Sequence, residues 1–70
     1  MNKISFTITG DHIQLIKLLK VVGIADSGAA AKELVDAKQV CVNGAVELRR
    51  RAQIKPGDIV TTAHHHITIA

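Results

Sequence analysis

Apolar and polar residues alternate through Lys3-Ile4-Ser5-Phe6-Thr7-Ile8-Thr9, a period-two pattern that predicts a half-buried strand ended by Gly10. Asp11 then stands three residues before Gln14 at the head of an apolar-periodic run. That spacing resembles a capping box, with an acidic cap at the positive end of a helix dipole. Leu15, Leu18, Leu19 and Val22 recur at helical spacing, Gln14, Lys17 and Lys20 occupy a different stripe, and Gly23 supplies a left-handed stop. The pattern predicts a first helix over Asp11–Val22.

Asp26 or Ser27 can cap a second helix, which Gly28 and the strong helix formers from Ala29 to Leu34 carry on to Ala37 or Lys38. Ala30, Leu34 and Ala37 make its expected inner face, and Lys32 and Asp36, four apart, are placed to pair on the outer one. Gln39-Val40-Cys41-Val42 alternates again. Asn43-Gly44 is a strong hairpin signal, because both residues tolerate the positive φ of a type I′ turn, and Ala45-Val46-Glu47-Leu48 returns as the partner strand. Lys55-Pro56-Gly57-Asp58 reads as a turn, Ile59–Thr62 as a strand, His64-His65-His66 as the next reversal, and Ile67-Thr68-Ile69 as a closing strand. Helices grouped in one part of the chain and strands joined by short turns predict an α+β domain, two helices packed on one face of a small, mostly antiparallel β-sheet.

Seventy residues leave room for one such domain, with almost every large aliphatic side chain claimed by its core, so a deep substrate cleft is not expected. The apolar content is nearly all Ile, Val, Leu and Ala. With Phe6 as the only aromatic ring of the Phe, Trp and Tyr class, the chain lacks the several exposed rings on which nucleic-acid-binding sheets and barrels stack bases. Nucleic acid, if bound, is to be held mainly by charge and shape. No run of about 20 apolar residues is present to cross a membrane. The single Cys41 falls in an alternating apolar run as a small buried thiol, consistent with a reducing cytoplasm.

Charge sharpens this picture once it is located. The segment from Ala45 to Gly57 carries Arg49, Arg50, Arg51 and Lys55 against Glu47, whereas the five basic and five acidic residues elsewhere cancel, so the whole formal excess of +3 sits there. Positive charge concentrated in this way attracts polyanions. Arginine adds a planar fork that matches phosphate oxygens bidentately. The competing reading of the triplet is a solvated strand end that keeps a sheet edge from aggregating. On a regular strand Arg49 and Arg51 would share a side and Arg50 oppose them; on a loop all three would fan outward.

Catalytic patterns are poor. There is no phosphate-cradling glycine loop, no Gly-x-Ser-x-Gly elbow and no carboxylate pair set to converge, so neither an enzyme nor a small-molecule substrate or cofactor is expected. The histidine run offers at most His64 and His66 on one side of an extended segment, and no metal site is expected.

One resemblance gathers these pieces. The stretch from Leu15 to Val60 is similar to the RNA-binding domain of ribosomal small-subunit protein four, the alpha-L motif. The similarity lies in Leu18-Leu19 to Gly23, Ser27 with Ala31-Lys32, Val40-Cys41-Val42-Asn43-Gly44, and Gly57-Asp58-Ile59-Val60. Ser27-Gly28-Ala29 and Gly44-Ala45-Val46-Glu47 followed by Arg49 and Arg51 look closest to a small bacterial subgroup, the YbcJ-like proteins. The resemblance implies RNA binding, with the two helices and the loop beyond the hairpin forming the contact surface; together with the readings above, the expectation is one domain over residues 1–70, motif core at about 11–62, acting in the cytoplasm as a non-catalytic binder of structured RNA. Ribosomal RNA is the most natural candidate, and a protein partner from RNA processing or the ribosome is compatible with it.

The departures shift the expected contacts. Gln14-Leu15-Ile16 stands where many members of this family have Arg-Leu-Asp, Gly28 where an arginine usually follows the serine, and Gln39 where a turn glycine precedes the hairpin. The contacts expected are therefore Arg49, Arg50 and Arg51 on phosphates, Lys17, Lys20 and Lys32 over the helices, and Lys55 at the edge. The Asn43-Gly44 turn positions the loop without touching RNA. The alternative is an adaptor whose basic segment meets an acidic protein, or a domain that acts in trans beside an RNA-modifying enzyme.

Overall fold

The computed structural model describes residues 2–70. The opening alternation forms β1 (Asn2–Phe6), which pairs in parallel with the last strand, β7 (His65–Ile69), placing Ile4 opposite Ile67 and Phe6 opposite Ile69. Pairing continues past the regular ladder, since Ala70 N–H donates to the Phe6 carbonyl at 2.8 Å and Ile8 N–H to the Ala70 carbonyl at 3.0 Å. Between them lie β2 (Ile13–Gln14), α1 (Leu15–Val21), α2 (Gly28–Asp36), β3 (Cys41–Val42), β4 (Ala45–Val46), β5 (Gln53–Ile54) and β6 (Ile59–Thr61). Five strands form a sheet in the order β1-β7-β6-β3-β4, whose pairings beyond the parallel β1–β7 are antiparallel, and β2 and β5 form a separate antiparallel ribbon. The expected pair of helices on a mostly antiparallel sheet is the fold observed.

Strand periodicity sorts the sheet into two faces. Ile4, Ile67, Val60 and Val42 line up across four strands, and Ile67 and Val60 are wholly buried against Leu15, Leu18 and Leu19 of α1 and Val35 of α2. Full burial of a leucine or isoleucine is worth about 1.5–3 kcal/mol, so this seam holds the helices to the sheet. The opposite row, Lys3, His66, Thr61, Cys41 and Val46, faces away from it. Cys41 is consequently half-buried on the open face rather than a core thiol. His65 and His66 belong to β7, so the reversal falls at Ala63-His64 and not across all three histidines.

The first helix is shorter than the spacing predicts. Ile13 and Gln14 are drawn into an antiparallel pairing with Ile54 and Gln53, which holds Gln14 extended (φ −69, ψ 142) and delays the helix to Leu15. No side chain caps it, so the Asp11–Gln14 capping box does not form. The free amides of the first turn go instead to main-chain carbonyls from the arginine segment: Leu15 N–H donates to Ala52 at 2.9 Å and Ile16 N–H to Arg50 at 3.2 Å. The helix ends as predicted. Gly23 takes φ +83, Ile24 N–H bonds the Leu19 carbonyl and Gly23 N–H that of Lys20, the paired bonds of a Schellman stop.

Ser27 caps α2, its Oγ accepting from Ala30 N–H at 3.1 Å. The buried stripe is Ala31 and Val35; Ala30 and Leu34 flank it half-buried, and Ala37, expected inside, is exposed because it lies beyond the end of the helix. The same Schellman pattern closes α2, through Gln39 N–H to Leu34 and Lys38 N–H to Val35, but its left-handed residue is Lys38 at φ +61. The backbone need for glycine therefore falls one residue before Gln39.

The hairpin forms as Asn43-Gly44 predicts, with φ +52 and +87. Asn43 also fastens it to the turn that precedes β6. Its Oδ1 accepts from Ile59 N–H at 2.9 Å and its Nδ2 donates to Asp58 Oδ1 at 3.1 Å, while Asp58 Oδ2 accepts from Lys55 N–H at 2.8 Å. The Asn-Gly and Gly-Asp pieces, distant in sequence, are thus two halves of one joint.

Candidate nucleic-acid interface

The arginines lie on a turn. Ala52 N–H closes it onto the Arg49 carbonyl at 3.2 Å, with Arg50 and Arg51 at its corners. Strand alternation therefore does not govern which way the three side chains face. Ala52 and Ile54 are buried on the far side of the turn, and the carbonyls of Arg50 and Ala52 are tied to the start of α1. The arginines thus project from an anchored segment, and all three are exposed.

Their heads have different partners. Arg49 is held bidentately by Glu47, with Nε to Oε2 and NH2 to Oε1 both at 3.1 Å, and its own N–H also bonds Oε2 at 3.2 Å. That guanidinium holds the Glu47 carboxyl below the usual carboxylate range, and the carboxylate in turn raises Arg49. Arg50 reaches α2, its Nε 3.2 Å from Asp36 Oδ1 and its NH2 2.9 Å from Oδ2, a fork that raises the Arg50 pKa. The expected Lys32–Asp36 pair is consequently absent: Asp36 spends both oxygens on the planar fork, which matches a carboxylate better than an ammonium does. Among the described residues no carboxylate lies within ion-pair distance of Arg51, Lys17, Lys20, Lys32 or Lys55.

Two shallow depressions collect these cations. Arg49, Arg51 and Lys55 line one of about 430 Å³ with Ala52 and Gln53. Lys17 and Lys20 line another of about 240 Å³ with Gln14, Ile16 and Gly28. The two adjoin through the β2–β5 ribbon, where Gln14 and Gln53 are direct partners. Lys32 lies one helical turn beyond Gly28 and one before Asp36, which Arg50 grips, so the Gly28-Lys32-Asp36 stripe runs from the second depression to the arginine turn. Five of the seven expected contacts thus line these two depressions, while Arg50 and Lys32 line neither and adjoin them through Asp36 and Gly28. No acidic residue lines either depression, whereas a third, of about 370 Å³, carries Asp26 and Glu33. The concentrated charge is thus directional.

Gln14 and Gly28, the two positions that lack the usual arginines, are neighbours in the walls of the same depression. Sequence reasoning missed the bridging role of Gln14 and Gln53, because two-residue strands are too short to show a period. It also passed over His12, an exposed residue with no pattern around it. In the histidine run, His65 Nδ1 lies 3.2 Å from Thr62 Oγ1, and among the described residues no three His, Cys, Asp or Glu side chains converge as a metal site. No helix of the described residues is long and apolar enough to cross a membrane.

Residues 6–70 match the family model of the S4 domain. Over 58 residues the chain is 43% identical to "Putative RNA-binding protein YbcJ" of Escherichia coli (strain K12) and to "Uncharacterized protein YbcJ" of Shigella flexneri, with 83% of this chain and 83% of each relative covered. The fold is similar, at a TM-score of 0.76 and 38% identity, to the solution structure of YbcJ from E. coli, over 100% of this chain and 90% of that one. That structure is described as revealing an alfaL motif involved in RNA-binding.

Proposed function

Since the chain belongs to the S4 domain family, we propose that it is a non-catalytic RNA-binding protein of the cytoplasm that docks structured, partly double-stranded RNA, ribosomal RNA first among the candidates. The observation that carries this reading is the gathering of five exposed cations, Arg49, Arg51, Lys55, Lys17 and Lys20, into two adjoining depressions without a carboxylate in either wall. Such a surface follows a phosphate backbone by charge and shape and reads little sequence. Arg51 is the leading phosphate clamp, because no acid competes for it. Lys17, Lys20 and Lys32 extend the track over the helices and Lys55 closes its edge. Arg49 and Arg50 stand in the same track already aligned by Glu47 and Asp36, and a phosphate would have to displace or share those carboxylates. The seven cations of this track all fall within residues 11–62.

Titrating a structured RNA at several salt concentrations tests the reading. Contact with roughly three to five phosphates gives a log affinity against log salt slope of about −2 to −4. A slope near zero would overturn it.

A further inference from the structure

Lys17 is shared between two hollows. Besides the basic depression it lines a separate one of about 200 Å³ at the junction of β1, β2 and α1. The floor of that hollow is apolar: Phe6 and Ile8 come from β1 and its extension and Ile13 from β2, each half-buried against the core. Its rim carries the exposed imidazole of His12. The fold thus places the chain's only Phe, Trp or Tyr ring and one of its four histidines in a single concavity, directly beside a lysine of the basic track.

We propose that this hollow receives one unpaired base of the bound RNA, stacked against the His12 ring over the Phe6 floor, while Lys17 holds the neighbouring phosphate. The inference rests on the RNA-binding reading above and adds a feature of the substrate: a helix carrying a bulged or loop nucleotide, rather than an uninterrupted duplex. An unpaired base presents apolar π-faces to a ring or an apolar floor and is the kind of nucleotide proteins splay out and stack. A paired base would have to leave its helix first, at a cost that an already unpaired one avoids. Continuity with the basic track selects a base over an apolar protein side chain as the occupant, since Lys17 sets a phosphate-attracting charge at the mouth of the hollow.

The test compares a short RNA hairpin carrying one bulged 2-aminopurine with the same hairpin fully paired. The parent protein is expected to bind the bulged RNA roughly tenfold more tightly, the scale of a single base stack, with a change in 2-aminopurine fluorescence on binding. His12→Ala should bring the two affinities together while leaving binding of the paired RNA and its salt slope as in the parent. His12→Phe, which keeps a ring and drops the imidazole nitrogens, should retain the preference. Equal affinities in the parent, or a preference that survives His12→Ala, would overturn the hollow as a base site. Loss of the preference in His12→Phe as well would overturn stacking as its contact. A parent that binds neither RNA would overturn the RNA-binding reading itself.

Discussion

The carbonyl of Arg50 accepts a hydrogen bond from the main-chain N–H of Ile16 at 3.2 Å, so the basic turn is bolted to the first turn of α1. Through its side chain the same residue grips Asp36 at the last turn of α2. Backbone and side chain of Arg50 thus reach both helices, which gives that residue a structural task its neighbours lack.

Glutamine replacements should therefore rank by who already holds each guanidinium. Arg51→Gln is expected to weaken RNA binding most and to reduce the salt slope by about 1, as loss of one phosphate contact requires. Arg49→Gln and Arg50→Gln should cost less, and the triple variant should abolish binding at moderate salt while its thermal midpoint shifts by only a few degrees, all three side chains being exposed. Filter binding beside thermal melts checks this. Parent-like affinity in the triple variant would reduce the turn to a solubilising edge.

Asp36→Asn releases the Arg50 fork and removes a negative charge beside Lys32. RNA affinity should rise severalfold and the salt slope should steepen, as read in the same titrations. A fall in affinity would mean that the carboxylate serves chiefly to align Arg50 for the phosphate.

Glu47 is the acid whose folded pKa is depressed, so its contribution to stability is present above the ordinary carboxylate range and is lost as pH falls through its lowered value. A ¹³C NMR titration of its side-chain carboxyl should give a midpoint below that of an ordinary glutamate. In Arg49→Gln the midpoint should return toward the ordinary value, since the Arg49 guanidinium is its main cause. An unperturbed midpoint in the parent would show the clamp to be open in solution.

Lys38 holds a left-handed conformation at φ +61 that a side chain disfavours by roughly 1–2 kcal/mol. Lys38→Gly removes that cost and adds a smaller one in the unfolded chain. The net expectation is a gain of about 0.5–1 kcal/mol in denaturant unfolding, with RNA binding unchanged.

Asn43→Ala does the reverse. It leaves φ +52 to a residue that resists it and deletes the bonds to Asp58 and to Ile59 N–H, for an expected loss of about 2 kcal/mol by chemical denaturation. Asn43→Gly, which keeps the backbone freedom and loses only the bonds, should fall between parent and alanine.

Much of the fold was legible because its signals are local and periodic. The stripe of Leu15, Leu18 and Leu19, the Gly23 stop, the Ser27 cap and the Asn43-Gly44 turn each depend on residues a few positions apart, and each stands where the pattern put it. The start of α1 is not legible near Asp11, because its amides are satisfied by Ala52 and Arg50, partners far along the chain. The same holds for the candidate interface. Which residues are basic is plain in the sequence, but that Glu47 and Asp36 occupy two of the arginines, and that Gln14 joins the two depressions through Gln53, emerges only once distant segments meet.

The parallel pairing of β1 with β7 carries a further consequence, for the order of events during synthesis. Asn2 finds its partner His65 more than sixty residues later, so Ile4 and Phe6 leave the ribosome long before their strand partners Ile67 and Ile69. At about 5–20 residues per second, that wait lasts on the order of several seconds. Both helices and the Asn43 hairpin can form meanwhile, because their contacts are near neighbours. The sheet is completed only once β7 has emerged, which makes that strand the gate through which the nascent chain commits to its native state.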